Sequence, residues 1–74
     1  MTLGQFINEV YNNVKDPYNK DQRIGQVLMN TLSARNPKLH ALILNDSNYD
    51  CFYNNELVAS TMSFICQYPE YWDN

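Results

Sequence analysis

Asp46, Asn48 and Asp50 stand at alternate positions, the spacing of the first three ligands of a calcium-binding helix-loop-helix. Oxygen donors spaced this way converge on one hard cation when two further residues are in place. A Gly at position six makes the sharp turn, and a bidentate Glu at position twelve closes the cage. Here position six is Cys51 and position twelve is Leu57, with Glu56 one residue early. The expected role of the stretch is therefore an Asn/Asp-rich turn whose side chains bond their own backbone. Neither a metal nor any other cofactor is expected.

His40 is the single histidine, and Cys51 or Cys66 could in principle pair with it as a nucleophile. No glycine-rich elbow and no orienting acid lies near any of the three. The two glycines are too far apart to form a phosphate-cradling loop. A chain of 74 residues also has little room for a closed cleft. The expectation is a protein that is not an enzyme.

Charge points the same way. Lys15, Lys20, Arg23, Arg35 and Lys38 face eight carboxylates, for a net charge of −3. Nucleic-acid backbones are held by clustered Lys and Arg through counterion release, and no such cluster exists. Arg23 and Arg35 are twelve residues apart, about 120° around one helix, which is not a basic stripe. Direct nucleic-acid binding is not expected, and a small nucleic-acid-binding regulator is the alternative reading. No run of about 20 apolar residues is present to span a membrane. No basic segment followed by an apolar run opens the chain as a leader would. Cys51 and Cys66 are then expected as reduced thiols in a cytosolic compartment.

What remains is a concentration of aromatic and acidic residues. Ten aromatics, six of them Tyr, are many for this length. Asp46, Tyr49, Asp50, Tyr53 and Glu56 cluster around one loop, and Glu70, Tyr71 and Asp73 lie in the tail. Tyr is an anchor residue of protein interfaces, and negative charge suits a basic groove on a partner. Those eight residues are the candidate partner-binding set. Phe52 and Trp72 are expected in the core instead.

Three or four short helical segments must position these groups. Leu3, Phe6, Ile7, Val10 and Val14 give one apolar face from Thr2 to Lys15, with Thr2 as N-cap and Asp16-Pro17 as the break. A second helix is expected from Asp21 to Arg35, capped by Asp21, with Ile24, Val27, Leu28, Thr31 and Leu32 inward. Gly25 inside it costs about 1 kcal/mol relative to Ala. Either another backbone comes close there or the helix starts later. Asn36-Pro37 starts a third, Pro37 to Leu44, because Asn caps well and Pro suits the first helical position. Its inward residues are Leu39, Leu42 and Ile43. A polar loop, 45–54, leads to a fourth helix from Asn55 to Cys66, capped by Asn55. There Leu57, Val58, Thr61, Met62 and Ile65 share a face, with Phe64 beside them. The tail after it contains Pro69 and ends its helical character early. The prediction is one all-α domain, residues 1–74. A core this small buries roughly 60–65% of the unfolded surface, so a homodimer or a partner would add to it.

The block from Arg23 to Ile65 resembles a group of small uncharacterised bacteriophage and prophage proteins. The shared pattern falls on Arg23, Gly25, Gln26, Leu28, Asn30, Asn36, Pro37, Leu39, Asp50, Phe52 and Tyr53. The resemblance transfers no catalytic residue. It implies a phage setting, in the host cell cytoplasm. There, small acidic proteins bind and inhibit host proteins, including CRISPR effectors and other nucleic-acid-processing defence machinery. The function it implies is a stoichiometric anti-CRISPR or other anti-defence inhibitor.

Overall fold

Thr2 opens the first helix by reciprocal capping. In a computed structural model of the chain, which describes residues 1–46 and 48–73, its hydroxyl accepts the Gln5 N–H at 3.1 Å. The Gln5 side chain in turn accepts the Thr2 N–H at 2.8 Å. Two otherwise orphaned helix donors are satisfied this way. Helix α1 runs Leu3–Lys15, α2 Ile24–Arg35, α3 Pro37–Leu44 and α4 Val58–Cys66. Short 3₁₀ turns lie at Pro17–Asn19, Asn55–Leu57 and Pro69–Tyr71. The described residues form an all-α domain of four helices with no strand.

Helix α2 is the centre. It packs against α1, α3, α4 and the turn Asn55–Leu57. That explains why its buried set, Gly25, Val27, Leu28, Met29, Thr31 and Leu32, is wider than a one-sided stripe. Met29 is buried although it lies off the expected face, and Ile24 is exposed although it lies on it. Around α2 the core closes with Phe6, Leu39, Ile43, Cys51, Phe64, Ile65 and Trp72. Trp72 stacks on Phe6 at 4.8 Å, so the tail is pinned to α1. The Asp73 N–H also donates to the Met1 carbonyl at 3.1 Å.

Two expected helix starts are displaced, each by a turn that precedes the helix. Helix α2 begins at Ile24, not Asp21, because residues 17–22 are taken up in turns: the Gln22 N–H bonds the Asn19 carbonyl, and the Asn19 amide bonds the Asn13 carbonyl. Arg23 occupies the cap position without a side-chain bond. Helix α4 begins at Val58, not Asn55, and Asn54 caps the turn before it through the Glu56 N–H at 2.9 Å. Asn55 caps a different helix: its Oδ1 accepts the Gly25 N–H at 3.0 Å. The first turn of α2 is thus satisfied by a residue thirty positions away. Helix α3 lies where Asn36-Pro37 predicts, with the Asn36 Oδ1 accepting the Leu39 N–H at 3.3 Å.

Both explanations foreseen for Gly25 hold. The helix starts later, and another backbone comes close: a Cβ on Gly25 would stand 2.0 Å from the Cys51 carbonyl oxygen and 2.9 Å from its carbon. Gly4 is the contrast, since a Cβ there would meet nothing nearer than the Thr2 hydroxyl at 3.9 Å. Gly25→Ala should therefore cost about 3 kcal/mol or more, because backbone rather than a flexible side chain must move. Gly4→Ala should instead stabilise by about 0.4–1 kcal/mol through the lower entropy of the unfolded chain. Thermal unfolding of the two variants beside the parent checks both signs.

A second prediction comes from the α1–α2 contact. Arg35 forks onto Glu9, with Nε at 2.8 Å from Oε2 and Nη2 at 2.6 Å from Oε1. Those hydrogen bonds hold the Glu9 carboxyl below its ordinary pKa. A carboxyl lowered on folding contributes stability above its unfolded pKa and loses it as the pH falls through the folded one. The Tm advantage of the parent over Glu9→Gln should be full near neutrality and close as the pH drops below the ordinary glutamate range. Melts across pH 3 to 7 measure it, and a gap independent of pH contradicts the assignment.

Candidate protein-binding face

The loop after α3 is built by its own side chains. Asp46 Oδ1 accepts the Asn48 N–H at 3.1 Å, and Asp50 Oδ1 accepts the Phe52 N–H at 3.0 Å. These are the self-bonding turns expected of an Asn/Asp-rich stretch. The loop expected over 45–54 includes Ser47, which lies outside the described residues. Among the described residues no group of three His, Cys, Asp or Glu side chains is arranged to hold a metal.

Buried Thr61 ties this loop to α4. Its hydroxyl lies against the carbonyls of Tyr49 and Leu57. Tyr49 is thereby laid over α4, its ring 4.8 Å from that of Phe64. Phe64 in turn meets Tyr68 at 4.8 Å, and Tyr68 meets Tyr71 edge-on at 5.9 Å. The result is a continuous aromatic row from the loop to the tail. Tyr49, Tyr68 and Tyr71 are each half-buried, so one side of each ring is fixed and the other open.

Of the candidate residues, Tyr49 and Tyr71 belong to this row, and the others lie in the loop, turn and tail that adjoin it in sequence. Asp46 and Asp50 are half-buried at the loop end, and Glu56 is exposed in the turn that follows. Tyr53 is 82% exposed, edge-on to Phe52 at 4.7 Å, with the Arg23 guanidinium 5.8 Å from its ring. Asp50, Phe52 and Tyr53 share a shallow cleft of about 210 Å³ with Met29, His40 and Leu44. At the tail end Glu70 and Asp73 are exposed, and the Tyr71 carbonyl accepts the Asn36 side-chain amide at 2.8 Å. Tyr71 and Asp73 border a second cleft of about 280 Å³ beside Lys38. The aromatic row thus joins what the sequence presents as two separate clusters. Tyr68 is the member that sequence reasoning missed. Its place four residues after Phe64, one helical turn on, is the signal that could have found it.

In sequence this half of the chain is one-sided, although in space the Met1 ammonium pairs with Asp73, Arg23 stands over Tyr53, and Arg35 and Lys38 line the tail cleft. From residue 39 to residue 73 there are five carboxylates, Asp46, Asp50, Glu56, Glu70 and Asp73, and no Lys or Arg. Both clefts are smaller than the roughly 300–1,000 Å³ of small-molecule sites. Neither family models, nor curated proteins, nor solved structures give a match to the chain. Among the described residues no helix is long and apolar enough to cross a membrane.

The cysteines separate cleanly. Both are free thiols; Cys51 is buried and Cys66 exposed. Burial pushes the Cys51 thiol above its ordinary pKa, partly offset by hydrogen bonding to Thr61. The Cys51 Sγ donates weakly to the Gly25 carbonyl at 3.5 Å. A buried thiol held this way is a poor nucleophile. Alkylation of the native protein should therefore modify Cys66 alone within minutes, and Cys51 only once the chain unfolds. Peptide mapping after a short iodoacetamide pulse reads the result, and equal labelling of the two would contradict it.

Proposed function

We propose that this protein works by stoichiometric binding, as a phage-encoded inhibitor of a host defence protein of anti-CRISPR or other anti-defence type. One observation carries the binding part: a stacked row of half-open tyrosines on a segment with five carboxylates and no Lys or Arg. Aromatic rings already held on one side lose little freedom on binding, which makes them efficient anchors. Carboxylates around them steer a basic surface into register. A groove that a host effector uses for nucleic acid has that chemistry. The phage setting and the class of target rest on the resemblance over Arg23–Ile65.

The test uses variants that keep the loop intact. Asp46 and Asp50 hold their turns through a carbonyl-type oxygen, which Asn retains. The triple change Asp46→Asn, Asp50→Asn, Glu56→Gln therefore removes charge without removing the turn bonds. A tagged pull-down from host cells with crosslinking and mass spectrometry should return one dominant protein in stoichiometric amount. Its affinity should fall as salt rises, fall at least about tenfold with Tyr53→Ala, and lose most of its salt dependence in the triple variant. If affinity is indifferent to salt and to the triple change, the electrostatic part is wrong. If the captured material is only nucleic acid, the protein is a nucleic-acid-binding regulator instead.

A further inference from the structure

On the other part of the molecule, α1 keeps an apolar face that the described residues cover only in part. Ile7, Val10, Tyr11 and Val14 follow one another at helical spacing, and Ile24 from α2 and Met62 from α4 complete a groove of about 280 Å³. Tyr11 is 60% exposed, Ile24 49% and Ile7 42%. No charged or amide side chain lines it.

We infer that this groove is the contact surface of a homodimer, in which two copies pack their α1 helices against each other about a two-fold axis. Three observations favour a second copy as the occupant. The first is charge. Residues 3–24 carry Glu9, Asp16 and Asp21 against Lys15, Lys20 and Arg23, and balance. The whole excess of negative charge lies on 45–73. Two copies of an acidic protein can therefore meet through α1 without meeting their own repulsion, while a basic partner would be drawn to the other face.

The second is shape. The groove holds less than a small-molecule site of roughly 300 Å³ upward, and at its edge stands Tyr11, an exposed ring with the Lys15 ammonium 4.6 Å from its centroid. A two-fold pairing lets each Tyr11 seat against the partner's apolar groove, the self-complementarity that an isologous interface requires.

The third is area. The exposed parts of Tyr11, Ile7 and Ile24, with the half-buried Val10, Val14 and Met62, leave on the order of 400 Å² of apolar surface open, enough to mark a functional patch. Two such faces make a core of about 800 Å². Polar groups around the rim must add to this to reach the roughly 1,200 Å² at the lower edge of specific interfaces. The geometry thus describes a modest, reversible dimer that leaves the acidic, aromatic face free.

Light scattering and sedimentation across concentrations test this, with two variants chosen to preserve the fold. Tyr11→Glu places a carboxylate four residues before Lys15, a favourable helical pairing. Ile24→Asp puts an acid at the first position of α2, where the helix end favours it. The parent should move from one chain to two with rising concentration, and each variant should weaken that association at least about tenfold with an unchanged far-ultraviolet spectrum. A parent that stays monomeric up to about 1 mM overturns the inference. So does a dimer whose dissociation constant neither variant alters. Should one variant unfold, the other decides.

Discussion

The approach of the Cys51 carbonyl to the backbone of Gly25 governs how the two halves of this chain meet. No side chain larger than hydrogen fits at position 25, since a Cβ would overlap the carbonyl oxygen. That closeness lets three weak bonds form at once: Gly25 N–H to Asn55, Cys51 Sγ to Gly25, and Arg23 Nη2 to the Phe52 carbonyl at 3.1 Å. Each is modest, about 1 kcal/mol net where the groups are neutral. Together they clamp the loop to the start of the central helix. Had the loop stood off by one side-chain width, Cys51 would leave the core, and the turn carrying Asn55 would no longer cap α2.

From that clamp the candidate face follows mechanically. With Cys51 fixed on one side, Thr61 pulls Tyr49 onto α4 from the other. The loop side chains Asp46 and Asp50 then need only shape the short stretches between these anchors. A core built from a single central helix has few residues to spare. The chain accordingly uses buried polar groups, Thr61 and Asn36, to fasten its loop and tail. A buried hydroxyl or amide is safe in such a place because each one finds a backbone carbonyl within reach.

This division of labour explains what could be read beforehand. The starts of α1 and α3 were legible because their caps are local: Thr2 with Gln5, and Asn36 with Pro37, act within three residues. The starts of α2 and α4 were not, because Asn55 reaches across thirty positions and leaves its own helix to Asn54. The all-α class was legible from periodicity alone. The burial of Met29 was not, since it depends on how many neighbours surround α2. For the candidate face, residue types and acidity were visible, as two separate stretches of sequence. Their union through Phe64 and Tyr68 was not visible, because it needs the loop laid over α4 by a hydroxyl that reads, in the sequence, as one more stripe residue.

The same constraint separates the two open surfaces. Burying Cys51 against Gly25 commits the inner faces of α2 and α4 to the loop and core. Helix α1 then has α2 as its main helical neighbour, joined by the Glu9–Arg35 fork and the amide of Asn13 on the Thr31 hydroxyl at 3.1 Å. These polar ties sit on one flank of α1 and leave Ile7 and Tyr11 exposed, with Val10 and Val14 half-buried beside them. The acidic residues gather where the loop and tail are, and the neutral apolar groove where they are not. Under the proposed function, a 74-residue chain gains from this arrangement. The surface that would strengthen its small core by self-association carries no excess charge, and the surface proposed to draw a partner would not be consumed by that association.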